Sequence, residues 1–289
     1  MRLDLKLLTF LLFLCTLAKA QEGLYYYKEQ LADDPFDDLT YYYVGGSAIN
    51  NNVFLGRRAD KTLPYIGAHA GIQSHTGFYG QIAAFYAPSS HAGQFDLIQL
   101  EAGYDRCFFN YKLLTGAYFN FNSYNANSPS IMGSIQQSFS LYMLWRGEAV
   151  RPQLTFTSLQ SNGSDAIVTL SLDHLFRLRD NNVHFSPGIA FNFGTQFYYE
   201  SYLKNKYKRT FTSATPTAFI TDIGAQKPLE IAFNAPIILR TKSCQFNIEP
   251  SYIVPLSKSK YRWDKGILTE SIGSSIVLNI SATYRYERK

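Results

Sequence analysis

Strict alternation of apolar and polar residues dominates this chain. It is clearest in VHFSPGIAFNFGTQFYY (183–199), where one parity is almost wholly apolar and the other is polar or small. A period of two is that of a β-strand with one apolar face. Strands of globular domains usually have about 5–6 residues. A strand this long calls for a fold in which a wide apolar layer faces the strand.

The same alternation recurs along the chain and predicts about twelve strands. The predicted strands are 40–49, 65–74, 77–88, 95–105, 108–122, 134–146, 151–159, 166–178, 183–199, 229–240, 243–256 and 272–286. The short connections are 75–77, 106–107, 147–150, 179–182 and 241–242. The longer, polar connections are 51–64, 89–94, 123–132, 160–165, 200–227 and 257–271. Short and long connections therefore alternate.

This arrangement predicts an all-β fold: a transmembrane antiparallel up-and-down β-barrel of about twelve strands, with short periplasmic turns and longer external loops. A secreted β-sandwich or a soluble barrel would also alternate. Three features count against those alternatives: strand length, aromatic residues at the ends of the apolar faces, and opposite faces rich in Gly, Asn, Gln and Ser. Pro187, Pro236 and Pro250 in the middle of strands are a cost, since each removes a ladder hydrogen bond.

Composition agrees with contact between the strands and an apolar solvent. Only 17% of the 289 residues are charged, against roughly 25% in soluble domains. Tyr and Phe contribute 22 residues each, which favours β-structure. The formal net charge is +5.

The N-terminus predicts export. Basic Arg2 and Lys6 precede an apolar run at 7–17, and the A-x-A sequence at 18–20 is typical of a signal-peptide cleavage site. The run is too short to span a bilayer as a helix, which takes roughly 20 residues. A lipoprotein signal at Cys15 is the alternative, although the preceding residue is not small.

The predicted domains are a signal peptide at 1–20, a short acidic periplasmic segment at 21–39 and the barrel at 40–289. The acidic segment could plug the lumen or recruit a partner. The mature chain keeps Cys107 and Cys244, and the sequence does not determine whether they pair.

The region 40–289 resembles the outer-membrane β-barrel proteins of Gram-negative bacteria. The A-x-A signal, the alternating hairpins and the aromatic last strand LNISATYRY (278–286) carry the resemblance. It departs from that class at the end, because Tyr286 is followed by three charged residues (287–289) where the class ends on an aromatic residue. The resemblance implies an outer-membrane location and contact with its lipid.

Parity predicts seven charged residues on the lumen side: Glu101, Lys112, Asp173, Arg177, Glu230, Glu249 and Arg285. They form either a salt-bridged wall or a polar path for small solutes. Their signs are mixed, so we expect no strong ion selectivity.

One stretch of the sequence is a candidate for an enzyme active site. QSNGSD (160–165) resembles a stretch of the outer-membrane phospholipase A family, but Leu159 stands where that family has the histidine base. Ser161 would therefore have no adjacent base, and the stretch is also good turn chemistry. The five histidines show no metal-ligand spacing, so we expect no enzyme, metal or cofactor. They are His69, His75, His91, His174 and His184.

The connection 200–227 is basic. Its charged residues are Lys204, Lys206, Lys208 and Arg209, which could contact lipopolysaccharide phosphates, constrict the mouth or simply face solvent. Alternatively, 208–223 forms another hairpin and makes fourteen strands. Nucleic acid is not an expected partner outside the cell envelope.

The leading functional hypothesis is a channel or transporter for small polar solutes. The second is a structural or assembly-partner barrel with a filled lumen that acts through its external loops, and the third is a lipid hydrolase. Tyr79, Phe85, Tyr118 and Tyr142 are the side chains expected to obstruct a narrow lumen. The oligomeric state cannot be predicted from the sequence.

Overall fold

The computed structural model describes residues 40–59, 62–88, 94–109, 111–147, 149–161, 163–178, 182–210, 219–220, 224–241, 243–258, 260–263, 266–269 and 272–287. Of these, the backbone alone is described at 94, 204–210, 219–220, 261–263, 266–269 and 287. The predicted signal peptide and acidic segment lie outside the described residues.

Twelve antiparallel strands form a closed ring, as the alternation predicts. Their bounds are β1 Tyr41–Ile49, β2 Tyr65–Gln73, β3 Phe78–Ala87, β4 Gln94–Phe108, β5 Leu113–Tyr124, β6 Gln137–Trp145, β7 Arg151–Gln160, β8 Ser164–Asp173 with Phe176–Leu178, β9 Val183–Phe185 with Gly188–Gly194, β10 Lys227–Asn234 with Ile237–Arg240, β11 Cys244–Pro255 and β12 Ser275–Glu287. The last strand pairs with both β11 and β1, which closes the ring.

The two faces of the strands have opposite chemistry. Along β12, Ile276, Ile280 and Tyr284 are exposed on the outside, while Thr283 and Arg285 are buried inside. Exposed aromatic residues mark both ends of the outer surface: Phe78, Phe108, Trp145 and Tyr286 towards the short turns, and Phe95, Phe139, Phe193 and Tyr252 towards the long loops. An apolar band with aromatic girdles is the surface of a membrane-spanning barrel. The chain is therefore an outer-membrane β-barrel, with the short turns on the periplasmic side.

Within the described residues, no helix is both long and apolar enough to span a membrane.

One predicted strand was too long at its end. The strand predicted over 183–199 stops at Gly194, and Phe197–Thr210 forms helix α1 instead. The reason lies in another strand: the carboxylate of Asp165 accepts hydrogen bonds from the backbone N–H groups of Phe197 and Tyr198, each at 2.7 Å. These are the N–H groups that a helix start leaves without intrahelical partners.

Two predicted connections also differ. The connection predicted as long at 160–165 is shorter than expected, because β7 continues to Gln160 and β8 begins at Ser164. No fourteen-stranded barrel forms, since Phe219–Ile220 pairs with Lys260–Trp263 in a small sheet apart from the barrel wall. Residues 211–218 of the alternative hairpin lie outside the described part of the chain.

Prolines interrupt the wall near the short-turn end. Pro187 and Pro236 separate the two segments of β9 and of β10, because neither can donate to the ladder. Their carbonyls still accept, from the N–H of His174 to Pro187 and from that of Ser186 to Pro236, both at 3.1 Å. Pro250 remains inside β11. The ring stays closed despite the predicted cost.

Adjacent residues of β12 provide a direct test of the two faces. Ile280 faces outwards and Ser281 lines an internal cavity. An arginine facing lipid near the midplane costs about 2–4 kcal/mol in such barrels. We expect Ile280→Arg to lower the free energy of unfolding in phospholipid vesicles by about that amount, and Ser281→Arg by clearly less. Urea titration with a gel-mobility assay of folding measures both. Equal losses would contradict the assignment of faces.

Candidate functional site: the barrel lumen

The inner wall of the barrel is lined largely by polar side chains. The buried polar residues on the strands include Glu101, Asn120, Asn122, Ser138, Ser140, Gln153, Thr155, His184, Asn192, Asn234, Gln245, Asn247, Glu249, Ser251 and Thr283. Such a surface is a poor protein core and a good lining for water or polar solutes.

The structure separates the seven predicted lumen residues into two groups. Five are buried inside the barrel: Glu101, Asp173, Glu230, Glu249 and Arg285. Lys112 is instead exposed in the turn between β4 and β5, where Phe109 and Tyr111 have positive φ and end the strand geometry. Arg177 is exposed in the short second segment of β8. The five buried residues lie in regular strands, whereas Lys112 and Arg177 lie at a turn and beside an interruption, where a period of two does not apply.

Contacts between neighbouring strands hold the buried charges. Arg151 Nε lies 2.6 Å from Asp173 Oδ1, and its Nη2 donates to Ser186 Oγ at 3.4 Å. Elsewhere the side-chain amide of Asn192 donates to Glu230 Oε1 at 2.7 Å. These buried charges therefore have a structural role in the inner wall of the barrel.

Aromatic rings of the inner wall lie against glycines of the next strand. A Cβ atom at Gly103 would lie 2.1 Å from the Tyr79 hydroxyl oxygen, and one at Gly67 would lie 2.7 Å from the Phe85 ring. The missing side chains give these rings room beside the wall. Rings therefore take less of the lumen than their size suggests.

A cluster on the β3–β6 side nevertheless fills part of the lumen. Its members are Tyr79, Leu114, Tyr118, Tyr142 and Leu144. The Tyr142 hydroxyl donates to Asp105 Oδ1 at 2.5 Å. Three of the four predicted obstructing side chains belong to this cluster, whereas Phe85 lines a cavity instead.

Connections between strands cover the long-loop end of the barrel. The hairpin of Val53–Phe54 and Arg57–Arg58, the 3-10 helix Ile131–Ser134 and helix α1 pack together there. We call these three elements the cap. Its apolar cluster comprises Phe54, Leu55, Ile131, Ile135, Leu159, Ile167, Tyr198, Tyr199, Leu203 and Leu229. Leu229 on β10 joins these buried residues at an irregularity in the β9–β10 register.

Arg57 joins the cap to the barrel. Its side chain is completely buried, and Nη1 donates to the carbonyl oxygen of Ser257 at 2.7 Å. The guanidinium carbon lies 5.1 Å from the centre of the Tyr199 ring on α1. The Glu230 carboxylate accepts a hydrogen bond from the Gly56 N–H and is attracted by the Arg57 charge. One side chain thus links the first long connection to the last one, to α1 and to β10.

An unfilled cavity of about 110 Å³ remains in the lumen between β12, β1, β2 and β3. Its lining residues are Ser47, Ile49, Tyr65, His69, Gln81, Ala83, Phe85, Asn279, Ser281 and Thr283. The lining offers hydroxyl, amide and imidazole groups beside two aromatic rings, and includes no Asp, Glu, Lys or Arg.

The parts of an enzyme are not assembled around Ser161. Its hydroxyl donates to the Gly163 carbonyl at 3.1 Å and lies 3.4 Å from the Gly163 N–H, so it serves the turn. Among the described residues, no three or more His, Cys, Asp or Glu side chains are grouped to hold a metal ion. Cys107 and Cys244 are not joined in a disulfide bond.

The remaining predicted site residues have mixed outcomes. Lys204, Lys206, Lys208 and Arg209 lie on α1 rather than in an irregular loop, and their side chains lie outside what the structure describes. His69 lines the cavity and His184 is buried in the interior, whereas His91 falls outside the described residues. Sequence reasoning missed Arg57, for which the only local signal is a basic pair, Arg57–Arg58, inside a polar connection.

Comparison with known proteins finds matches among structures only. No protein-family model and no curated protein sequence matches the chain. An outer membrane channel from Pseudomonas putida F1 is 10% identical, with 88% of this chain and 99% of that chain covered and a TM-score of 0.46. The translocator domain of autotransporter NalP from Neisseria meningitidis is 8% identical, with coverages of 91% and 93% and a TM-score of 0.46. The KdgM porin in complex with disordered oligogalacturonate is 9% identical, with coverages of 85% and 98% and a TM-score of 0.45. These similarities do not identify a solute or a partner of this chain.

The Arg151–Asp173 pair gives a prediction about the wall. Both side chains are largely buried, at 7% and 5% exposure, so removing one charge leaves the other without its partner. We expect Asp173→Ala to lower the free energy of unfolding by about 3–5 kcal/mol. The double variant Arg151→Met with Asp173→Leu should lose less. Urea unfolding in vesicles measures both, and a double variant less stable than Asp173→Ala would show that the pair is not an isolated unit.

Proposed function

We propose that the protein is a gated channel for small polar solutes in the outer membrane of a Gram-negative bacterium. In this proposal residues 1–20 are a cleaved signal peptide, 21–39 an acidic periplasmic segment and 40–289 the barrel. The observation that carries the proposal is a polar inner wall with an unfilled cavity, closed by a cap that is not part of the wall.

The chemistry of the wall supports passage rather than a merely structural lumen. A barrel that only needed filling could be packed with apolar side chains, as the cap is. Instead, polar groups from Asn247 on β11 to Asn120 on β5 face inwards at a large desolvation cost unless they are paired or hydrated.

In this proposal the cap is the gate, and it lies at the long-loop end of the barrel. The cap is built from connections, and Arg57 holds it through Ser257, Tyr199 and Glu230. Movement of the hairpin would open the mouth without breaking the ring of strands. Because the buried charges of the wall include both signs, the open channel should discriminate little between cations and anions.

A second candidate is a filled barrel that acts through its external surface. The apolar cap cluster and the small sheet of Phe219–Ile220, Lys260–Trp263 and Gly266–Thr269 favour it, since they give the long-loop end its own packed structure. In that case Lys204 to Arg209 would contact lipopolysaccharide phosphates. Lipid hydrolysis has the least support, because the Ser161 hydroxyl is engaged in its own turn.

Single-channel recording in a planar bilayer separates these candidates. The wild-type barrel should show rare openings with ohmic steps. Arg57→Ala removes the charged hydrogen bonds that hold the hairpin, which are worth about 1.5–3 kcal/mol each. We therefore expect open probability to rise by at least about tenfold, since 1.4 kcal/mol corresponds to a factor of ten.

Arg58→Ala is the matched control, because Arg58 is the exposed neighbour of Arg57 in the same hairpin. It removes the same charge and should leave the openings unchanged. Inserted protein that stays silent in both variants and in the wild type would reject the channel and favour the filled barrel.

A further inference from the structure

We propose that the cavity between β12, β1, β2 and β3 binds a small neutral polyol of the size of glycerol. This inference rests on the proposed channel function in one respect only: if the barrel is a channel, the solute binds at this site while it crosses the lumen. The site itself depends on its own lining and can be tested without any conductance.

The polar groups of the lining are arranged to meet hydroxyl groups. The Tyr43 hydroxyl donates to Gln81 Oε1 at 2.9 Å, which leaves the Gln81 amide N–H groups to donate to a ligand. His69 Nε2 lies 3.2 Å from Thr283 Oγ1, so the ring and the hydroxyl form one fixed pair at the wall. Ser281 and Asn279 supply further groups from β12. The lining thus offers both donors and acceptors, which the hydroxyl groups of a polyol can meet.

Two aromatic rings give the cavity an apolar side. The Tyr65 and Phe85 rings meet edge to face, with centroids 6.4 Å apart and planes at 87°. The Tyr65 hydroxyl donates to the Asp96 carboxylate, so Tyr65 offers the cavity its ring rather than its polar end. Carbon-bound hydrogens of a polyol can pack on these rings while its hydroxyls face the opposite wall.

The charge of the lining argues for a neutral ligand. None of the ten lining residues is Asp, Glu, Lys or Arg. The neighbouring carboxylate of Asp96 already accepts from Tyr65 and from Ser128, the latter at 2.8 Å. A charged solute would lose water without gaining an opposite charge, which is strongly unfavourable.

The volume of the cavity favours a small ligand. The cavity measures about 110 Å³, somewhat less than the roughly 150 Å³ cavity known to take up benzene. Benzene has six non-hydrogen atoms, so a ligand of about that size or slightly smaller suits the cavity. Glycerol, also with six non-hydrogen atoms, is of this size.

Saturation-transfer NMR on the intact refolded barrel in detergent micelles tests the site, with glycerol as the probe and glycerate as its anionic counterpart. We expect saturable transfer to glycerol and at least tenfold weaker binding of glycerate. Ser281→Leu fills the cavity and should weaken glycerol binding at least tenfold. Ser171→Leu makes the same change on the inner face of β8, outside the cavity. Its affinity for glycerol should stay within about twofold of the wild-type value.

Folding of each variant is checked by gel mobility, and Asn279→Leu replaces Ser281→Leu if the latter does not fold. Glycerol transfer that is unchanged by filling the cavity, or glycerate binding as tight as glycerol binding, would overturn the proposal. Site-specific binding in a barrel that never conducts would retain the site and reject the channel. Conductance without site-specific binding would retain the channel and reject the site.

Discussion

The structure depends on one constraint: in lipid, every backbone N–H and C=O group must find its partner within the protein. An open sheet would leave the edges of its first and last strands unpaired in hydrocarbon, so only a closed ring of strands is allowed. The pairing of β12 with β1, from Tyr41 with Glu287 to Ile49 with Asn279, meets this requirement. The interruptions at Pro187 and Pro236 are tolerated because their carbonyls still accept from neighbouring strands.

Closure fixes what the side chains can do. One face of each strand meets lipid and is apolar, so the other face is enclosed and must satisfy its polar groups inside the barrel. Paired charges such as Arg151 and Asp173, rings seated over glycines and the cap around Arg57 are three ways in which this chain does so. Between β12, β1, β2 and β3 the lumen keeps a cavity with hydroxyl, amide and aromatic lining.

The alternation of the sequence was enough to predict twelve strands, the faces of most of their residues and most of the long loops, because a period of two is a local signal. It was not enough where a distant residue decides the structure. Helix α1 begins at Phe197 because Asp165 on β8 accepts from its first N–H groups, so the aromatic run at 197–199 was mistaken for a strand. Leu229 on β10 packs against the cap because the β9–β10 register shifts. Arg57 gave no periodic signal, since its partners are remote in the chain.

The most direct test is thiol accessibility of the barrel in sealed lipid vesicles. It asks whether the lumen of the barrel contains water, whether the outer face of the barrel meets lipid, and whether the cap separates the lumen from the medium. Single cysteines replace Ser281 in the cavity or Ile280 on the outer face, with Cys107 and Cys244 changed to serine. A water-soluble, membrane-impermeant thiol reagent should modify Ser281→Cys slowly. It should modify Ser281→Cys much faster when Arg57→Ala is also present. It should not modify Ile280→Cys, with or without Arg57→Ala. Equal modification at the two positions would contradict the assignment of faces, and a Ser281→Cys rate indifferent to Arg57→Ala would contradict the closure of the lumen by the cap.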